Sequence, residues 1–140
     1  SLVSGGVVGL GFAVALARAS ISRAESGVAV VFGVTVLTMA SIGVFPSGTA
    51  LHVPVAMGFY LLVTVLCWAD GVVALGGGHR SRSVVGMLAG AINLAAWLLW
   101  SAGGSISRPG IAIPELVGAL AFSAWVVWRW RALARETTNH

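Results

Sequence analysis

The chain has 140 residues, of which 58% are hydrophobic and only 9% are charged, and its mean hydropathy is +0.97. Soluble domains usually contain about 25% charged residues, so this composition excludes a soluble globular protein and indicates an integral membrane protein. The net charge of +4 comes from arginines scattered between apolar runs rather than from a basic patch, which argues against nucleic-acid binding.

Five apolar runs follow one another along the chain, separated by short polar or glycine-rich connections. A helix rises about 1.5 Å per residue, so roughly 20 apolar residues cross a bilayer. The runs predict spans at residues 2–17, 27–45, 51–75, 84–102 and 111–128. We therefore predict an all-α fold, a polytopic transmembrane helix bundle that forms a single unit over residues 1–140.

The first run is short for a full crossing and begins without Met, so we expect a segment upstream of it. Gly5 and Gly9 form a G-x-x-x-G pattern, which permits close approach of another helix. The sequence predicts an upstream helix or a neighbouring chain against this glycine face.

The arginines predict the orientation of the bundle. Seven of the eight fall at one end of the predicted spans, and only Arg108 falls at the other. Cytoplasmic loops of membrane proteins are enriched in Lys and Arg, so the C-terminus is predicted to be cytoplasmic. The predicted location is the cytoplasmic membrane.

The third span carries an ionisable residue near each end, His52 and Asp70, and both lie on one helical face. Ionisable residues are costly in lipid, so this face should look into the bundle. Asp70 is predicted to form a structural ion pair near the inner surface, with Arg129 or Arg18. Tyr60, on the same helix, is a further binding candidate.

The fourth and fifth spans each present one polar stripe. Asn93 lies near mid-membrane and needs a hydrogen-bond partner, so it is predicted either to join two helices or to contact a ligand. Glu115 and Trp125 lie on one face of the fifth span, with the carboxylate close to the outer surface. His52 and Glu115 are therefore predicted to pair, directly or through a single water, either to bind a polar ligand or headgroup or to tie two helix ends together.

Several catalytic and metal-binding patterns are absent from the sequence. It has no nucleophile elbow, no H-E-x-x-H and no paired cysteines, and Cys67 stands alone within an apolar span. No catalytic residue, metal site or cofactor is predicted, although a bound lipid would suit the outer pocket.

The segments IGVFPSGTALHVPVAMGFYLL and AIPELVGALAFSAWVV resemble the prokaryotic membrane proteins grouped as domain-of-unknown-function family 998, and SGGVVGLGFAVALA looks like that family's second span. The resemblance implies the cytoplasmic membrane of a prokaryote and a six-helix bundle, from which this chain would lack the first span. It also implies motif positions but no reaction. These positions are Phe45, Pro46, His52, Pro114, Glu115 and Trp125.

The leading hypothesis is a non-enzymatic membrane protein that packs against lipid or another subunit and has an outward-facing polar pocket. One alternative is an intramembrane lipid-modifying enzyme with His52 as base and Glu115 as acid or orienting group. Another is a small oligomeric transporter or proton-coupled carrier that uses Asp70, Asn93 and Glu115. The expected partners are membrane lipid and either another membrane subunit or further copies of this chain.

Overall fold

The computed structural model describes residues 1–103 and 111–138, with side chains as far as residue 135. Arg108, the one arginine predicted at the outer end, lies outside the described residues. The described part contains five α-helices and no strand, and all five helices are long and apolar enough to cross a membrane. They are α1 (Leu2–Ala19), α2 (Arg23–Val44), α3 (His52–Gly76), α4 (Arg80–Ala102) and α5 (Ala112–Thr138). The predicted all-α membrane fold is confirmed.

Three helices extend beyond their predicted spans because their polar ends are also helical. α2 begins at Arg23 rather than residue 27, since the Ser22 hydroxyl accepts a hydrogen bond from the Glu25 amide (3.2 Å) and caps the first turn. α4 begins at Arg80 rather than residue 84. α5 continues ten residues past the predicted end because Arg, Ala and Leu in its basic tail favour the helix.

A tight turn separates α2 from α3. The Thr49 amide donates to the Pro46 carbonyl (3.2 Å), and Gly48 has a φ of 96°, a left-handed conformation that glycine adopts without strain. This turn sends the chain back across the bundle and places His52 at the start of α3.

The helices pack mainly in chain order, each against the next, and α3 also contacts α5. α3 is the central element, because half of its most apolar stretch is buried, compared with 11% for α1. The outward faces remain apolar; Val8 and Leu99, for example, are 75% and 76% exposed. Apolar surface on this scale is suited to contact with lipid.

The glycine face of α1 packs in part against α2, a partner that the sequence did not indicate, while the predicted upstream helix or neighbouring chain stays a prediction. A Cβ atom at Gly9 would lie 2.7 Å from a Val36 methyl group, and one at Gly6 would lie 2.6 Å from Ala40 Cβ. Gly5 remains exposed, and both Gly5 and Gly9 line an apolar groove beside this contact.

α3 and α4 form a second closely packed pair. A Cβ at Gly86 would lie 2.6 Å from the Cys67 carbonyl oxygen, so the two backbones nearly touch at this point. The Asn93 side-chain amide donates to the Tyr60 carbonyl (2.7 Å) and to the Thr64 hydroxyl (2.8 Å). Asn93 thus joins two helices within the membrane.

An aromatic cluster joins α2, α3 and α5. The ring centroid of Phe32 lies 5.9 Å from that of Phe122 and 5.4 Å from that of Trp125, and Phe122 meets Phe59 edge-on at 5.5 Å. Trp125 is only 1% exposed. This cluster fills the bundle between a cavity at one end and a network of ionised side chains at the other.

Candidate functional site

A cavity of about 380 Å³ opens at the end of the bundle where α3 and α5 begin. His52 lines it from α3 and Glu115 lines it from α5. Much of the remaining wall is aromatic or aliphatic and includes Phe59, Tyr60, Ala119 and Phe122. The fold therefore brings His52, Tyr60 and Glu115 around one space, which we call the outer cavity.

His52 is oriented by the chain that precedes α3. Its Nδ1 lies 2.8 Å from the Phe45 carbonyl oxygen. A carbonyl only accepts, so Nδ1 carries the hydrogen, and Nε2 is the acceptor of the neutral ring. Among the described residues no direct hydrogen bond or ion pair joins His52 to Glu115. Both line the same cavity, and contact through a single water, the other form of the predicted pairing, stays a prediction.

His52 and Glu115, which line the outer cavity together with the hydroxyl-bearing residues Tyr60 and Ser123, are both suited to accepting hydrogen bonds. Glu115 accepts through its carboxylate, and His52 accepts through Nε2 when Nδ1 donates to Phe45. A group that satisfied both would supply hydrogen-bond donors such as hydroxyl or ammonium groups. The aromatic wall would accommodate the apolar part of the same molecule.

A network of ionised side chains lies at the opposite end of the bundle. Asp70 is 1% exposed; one carboxylate oxygen accepts from Arg82, and the other accepts from Trp125 Nε1 at 3.0 Å. Arg129 Nε lies 3.7 Å from Asp70 Oδ1. Buried charges are stable only when paired, and here the partners come from α4 and α5.

Glu25 extends this network to α2. Arg82 Nη1 lies 3.4 Å from Glu25 Oε1, while Glu25 Oε2 accepts from the Ile21 amide at 3.0 Å. Two carboxylates and two guanidinium groups thus hold α2, α3, α4 and α5 together at one end. We call Glu25, Asp70, Arg82, Trp125 and Arg129 the inner network.

The sequence predicts Arg129 and Arg18 as partners of Asp70 but does not indicate Arg82 or Glu25. The predicted start of the fourth span at residue 84 leaves Arg82 in a loop, whereas it projects from the first turn of α4. The Ser22-x-x-Glu25 capping pattern is the signal that α2 begins early enough to present Glu25 to the bundle.

Two binding candidates lie away from the outer cavity. Asn93 joins α3 to α4, and the indole of Trp125 donates to Asp70. Neither lines the outer cavity. The described residues also contain no cluster of three or more His, Cys, Asp or Glu side chains that could hold a metal ion.

A family model described as "Protein of unknown function (DUF998)" matches residues 1–130. This match covers nearly the whole chain and confirms the resemblance found in the sequence. Comparisons with curated proteins and with solved structures gave no match.

Proposed function

The chain belongs to the DUF998 family of proteins of unknown function, and we propose that it is a non-enzymatic, lipid-binding membrane protein whose outer cavity holds a donor-rich headgroup. The observation that carries this proposal is the convergence of His52 and Glu115 on one cavity of about 380 Å³ with aromatic walls. Lipid sites combine a few placed polar groups with an apolar lining, and this cavity has both.

Phosphatidylethanolamine is the lipid class that suits this cavity. Its ammonium group donates hydrogen bonds that the Glu115 carboxylate and His52 Nε2 can accept. Phosphatidylcholine carries the same phosphate and a similar positive charge but has no N–H group. A comparison of the two lipids therefore isolates the hydrogen-bonding chemistry.

The geometry of His52 favours one rival function, an enzyme that acts on lipid. Donation from Nδ1 to the Phe45 carbonyl leaves Nε2 as the basic nitrogen, the arrangement used to orient a general base. An enzyme would change the lipid, whereas the proposed binding protein returns it unchanged. Mass spectrometry of lipid extracts after incubation with the reconstituted protein separates the two functions, and loss of any turnover in His52→Ala would favour the enzyme.

The carrier hypothesis receives less support from the geometry. Asp70 and Asn93 form hydrogen bonds between helices and do not line the outer cavity, so the geometry does not support one pathway through the three residues of that hypothesis. A subunit or second copy of the chain remains a proposed partner. The surface we assign to it is an apolar groove of about 470 Å³ between α1, α2 and α5, lined in part by Gly9, Phe12 and Trp130.

Native mass spectrometry of the protein released from nanodiscs tests the lipid proposal. In an equimolar lipid mixture, we expect the wild-type protein to retain phosphatidylethanolamine in preference to phosphatidylcholine. Glu115→Leu should remove this preference, while Glu115→Gln should keep part of it because the amide oxygen still accepts a hydrogen bond.

A matched pair of substitutions on α5 controls for general effects of added bulk. Ala119→Phe should reduce lipid retention because Ala119 lines the outer cavity, whereas Leu120→Phe should not, because Leu120 is 61% exposed on another face. Equal retention of both lipids by the wild-type protein, or equal effects of the two Phe variants, would refute the proposal.

A further inference from the structure

A second polar cavity, of about 250 Å³, lies beside the inner network at the junction of α4 and α5. Four arginines, one histidine and one serine line it, and no carboxylate is among the described lining residues. Two of the arginines, Arg82 and Arg129, are also within salt-bridge distance of Asp70. Glu25 lines an adjoining cavity instead. We call this space the basic cavity, and its polar lining consists of His79, Ser81, Arg82, Arg129, Arg131 and Arg135.

The helical geometry concentrates positive charge around this space. Arg131 and Arg135 are four residues apart on α5 and therefore lie on one face of it, toward the cavity. Ser81 lies in the first turn of α4, where backbone amides lack partners within the helix and the helix dipole favours an anion. Guanidinium groups from α5, the Ser81 hydroxyl and the N-terminal end of α4 thus all border the basic cavity.

The depth of the cavity matches the surface of the membrane. Trp128 lines it and is 41% exposed, and Trp130, two residues further on, is 61% exposed. Tryptophan concentrates at the boundary between hydrocarbon and headgroups. Arg131 and Arg135 follow these tryptophans, so they lie at the level where lipid phosphates are found.

We propose that the basic cavity is a binding site for a phosphate group, distinct from the outer cavity at the opposite end of the bundle. Planar guanidinium groups match the geometry of phosphate oxygens and bind them in pairs. The phosphate comes either from an anionic phospholipid headgroup or from a soluble phosphate.

The test compares two pairs of substitutions that remove the same charge from the same end of the bundle. Arg131→Gln with Arg135→Gln removes two guanidinium groups from the cavity, while Arg18→Gln with Arg23→Gln removes two that do not line it. Each protein is reconstituted in nanodiscs of phosphatidylcholine and phosphatidylglycerol, and the retained lipid is measured by native mass spectrometry.

The wild-type protein should enrich phosphatidylglycerol over phosphatidylcholine. The cavity pair should lower this enrichment about tenfold, and the control pair should leave it nearly unchanged. Equal losses of phosphatidylglycerol enrichment in the two pairs would show that the enrichment comes from general surface charge, and would overturn the proposal. If the Gln pair does not fold, Arg131→Lys with Arg135→Lys provides the test, because it keeps the positive charge but removes the planar guanidinium groups. This pair should lower the enrichment more than Arg18→Lys with Arg23→Lys does.

A competition experiment identifies the source of the phosphate. Inorganic phosphate that displaces phosphatidylglycerol, under conditions in which chloride at the same ionic strength does not, would identify a soluble phosphate as ligand. Displacement by neither salt would identify the lipid headgroup. A wild-type protein that neither enriches phosphatidylglycerol nor binds inorganic phosphate would overturn the proposal without affecting the outer cavity.

Discussion

Asp70 shows how a single ionisable residue can organise the interior of a membrane bundle. Its carboxylate is 1% exposed, and it is close to Arg82, Trp125 and Arg129, which come from two other helices. Removing a charge from water is costly, and close partners offset that cost. The carboxylate therefore stabilises the bundle only while its arginine partners are present.

We predict strong coupling between Asp70 and Arg82. Asp70→Leu or Arg82→Leu alone should lower the free energy of unfolding by about 3–5 kcal/mol, because each removes the closest partner of a buried charge. The double variant should lose much less than the sum of the two single losses. Unfolding by SDS in mixed micelles measures these values, and additive losses would show that the two side chains are energetically independent.

At the scale of helices, the pair formed by α3 and α4 depends on small residues at the contact. A Cβ at Gly86 would meet the Cys67 carbonyl, and one at Gly90 would meet the Trp68 ring. Asn93 then adds two hydrogen bonds along the same seam. Without a hydrophobic driving force between helices in lipid, close contact and buried hydrogen bonds hold such a pair together.

We predict that Gly86→Ala separates these helices locally and destabilises the protein by about 1–3 kcal/mol, because its Cβ would lie 2.6 Å from a backbone oxygen that cannot move aside. The control is Gly58→Ala on α3, where no atom lies within 4 Å of the added Cβ. The control variant should be neutral or slightly more stable, since alanine favours the helix. Equal destabilisation of both variants in the SDS unfolding assay would contradict the proposed close contact.

Over the whole molecule, charge is distributed very unevenly between the two ends. Seven of the eight arginines fall in or beside the polar ends of α1 to α5 that surround the inner network, and the eighth is Arg108. The outer cavity lies at the other end and has Glu115 as its acidic residue. This polarity favours an orientation with the inner network on the cytoplasmic side.

Cysteine labelling of intact cells tests this orientation in a Cys67→Ala background. We expect Ser47→Cys, in the turn before α3, to react with a membrane-impermeant maleimide, and Ser81→Cys, at the start of α4, to react only after the cells are opened. Both serines are exposed, so accessibility within the bundle does not limit either reaction. The reverse labelling pattern would place the C-terminus outside.

Sequence alone was enough to predict five membrane-spanning helices, because a chain in lipid must satisfy its backbone hydrogen bonds within each segment. The turn after α2 also has a local origin, because Pro46 and Gly48 are residues that favour a turn. His52 and Glu115 could be placed at the same end because helix direction alternates with each crossing. These features depend on neighbours in the chain or on depth in the membrane.

The partners of individual side chains depended on the packing of the helices. Helical phase shows which residues share a face, but it does not show which helix lies opposite, because crossing angle and rotation are set by contacts distant in sequence. For this reason the glycine face of α1 meets α2, and His52 donates to Phe45 rather than pairing directly with Glu115. For the same reason the main partner of Asp70 is Arg82, which lies twelve positions later in the chain. Arg82 reaches Asp70 because α4 begins at Arg80, four residues earlier than predicted.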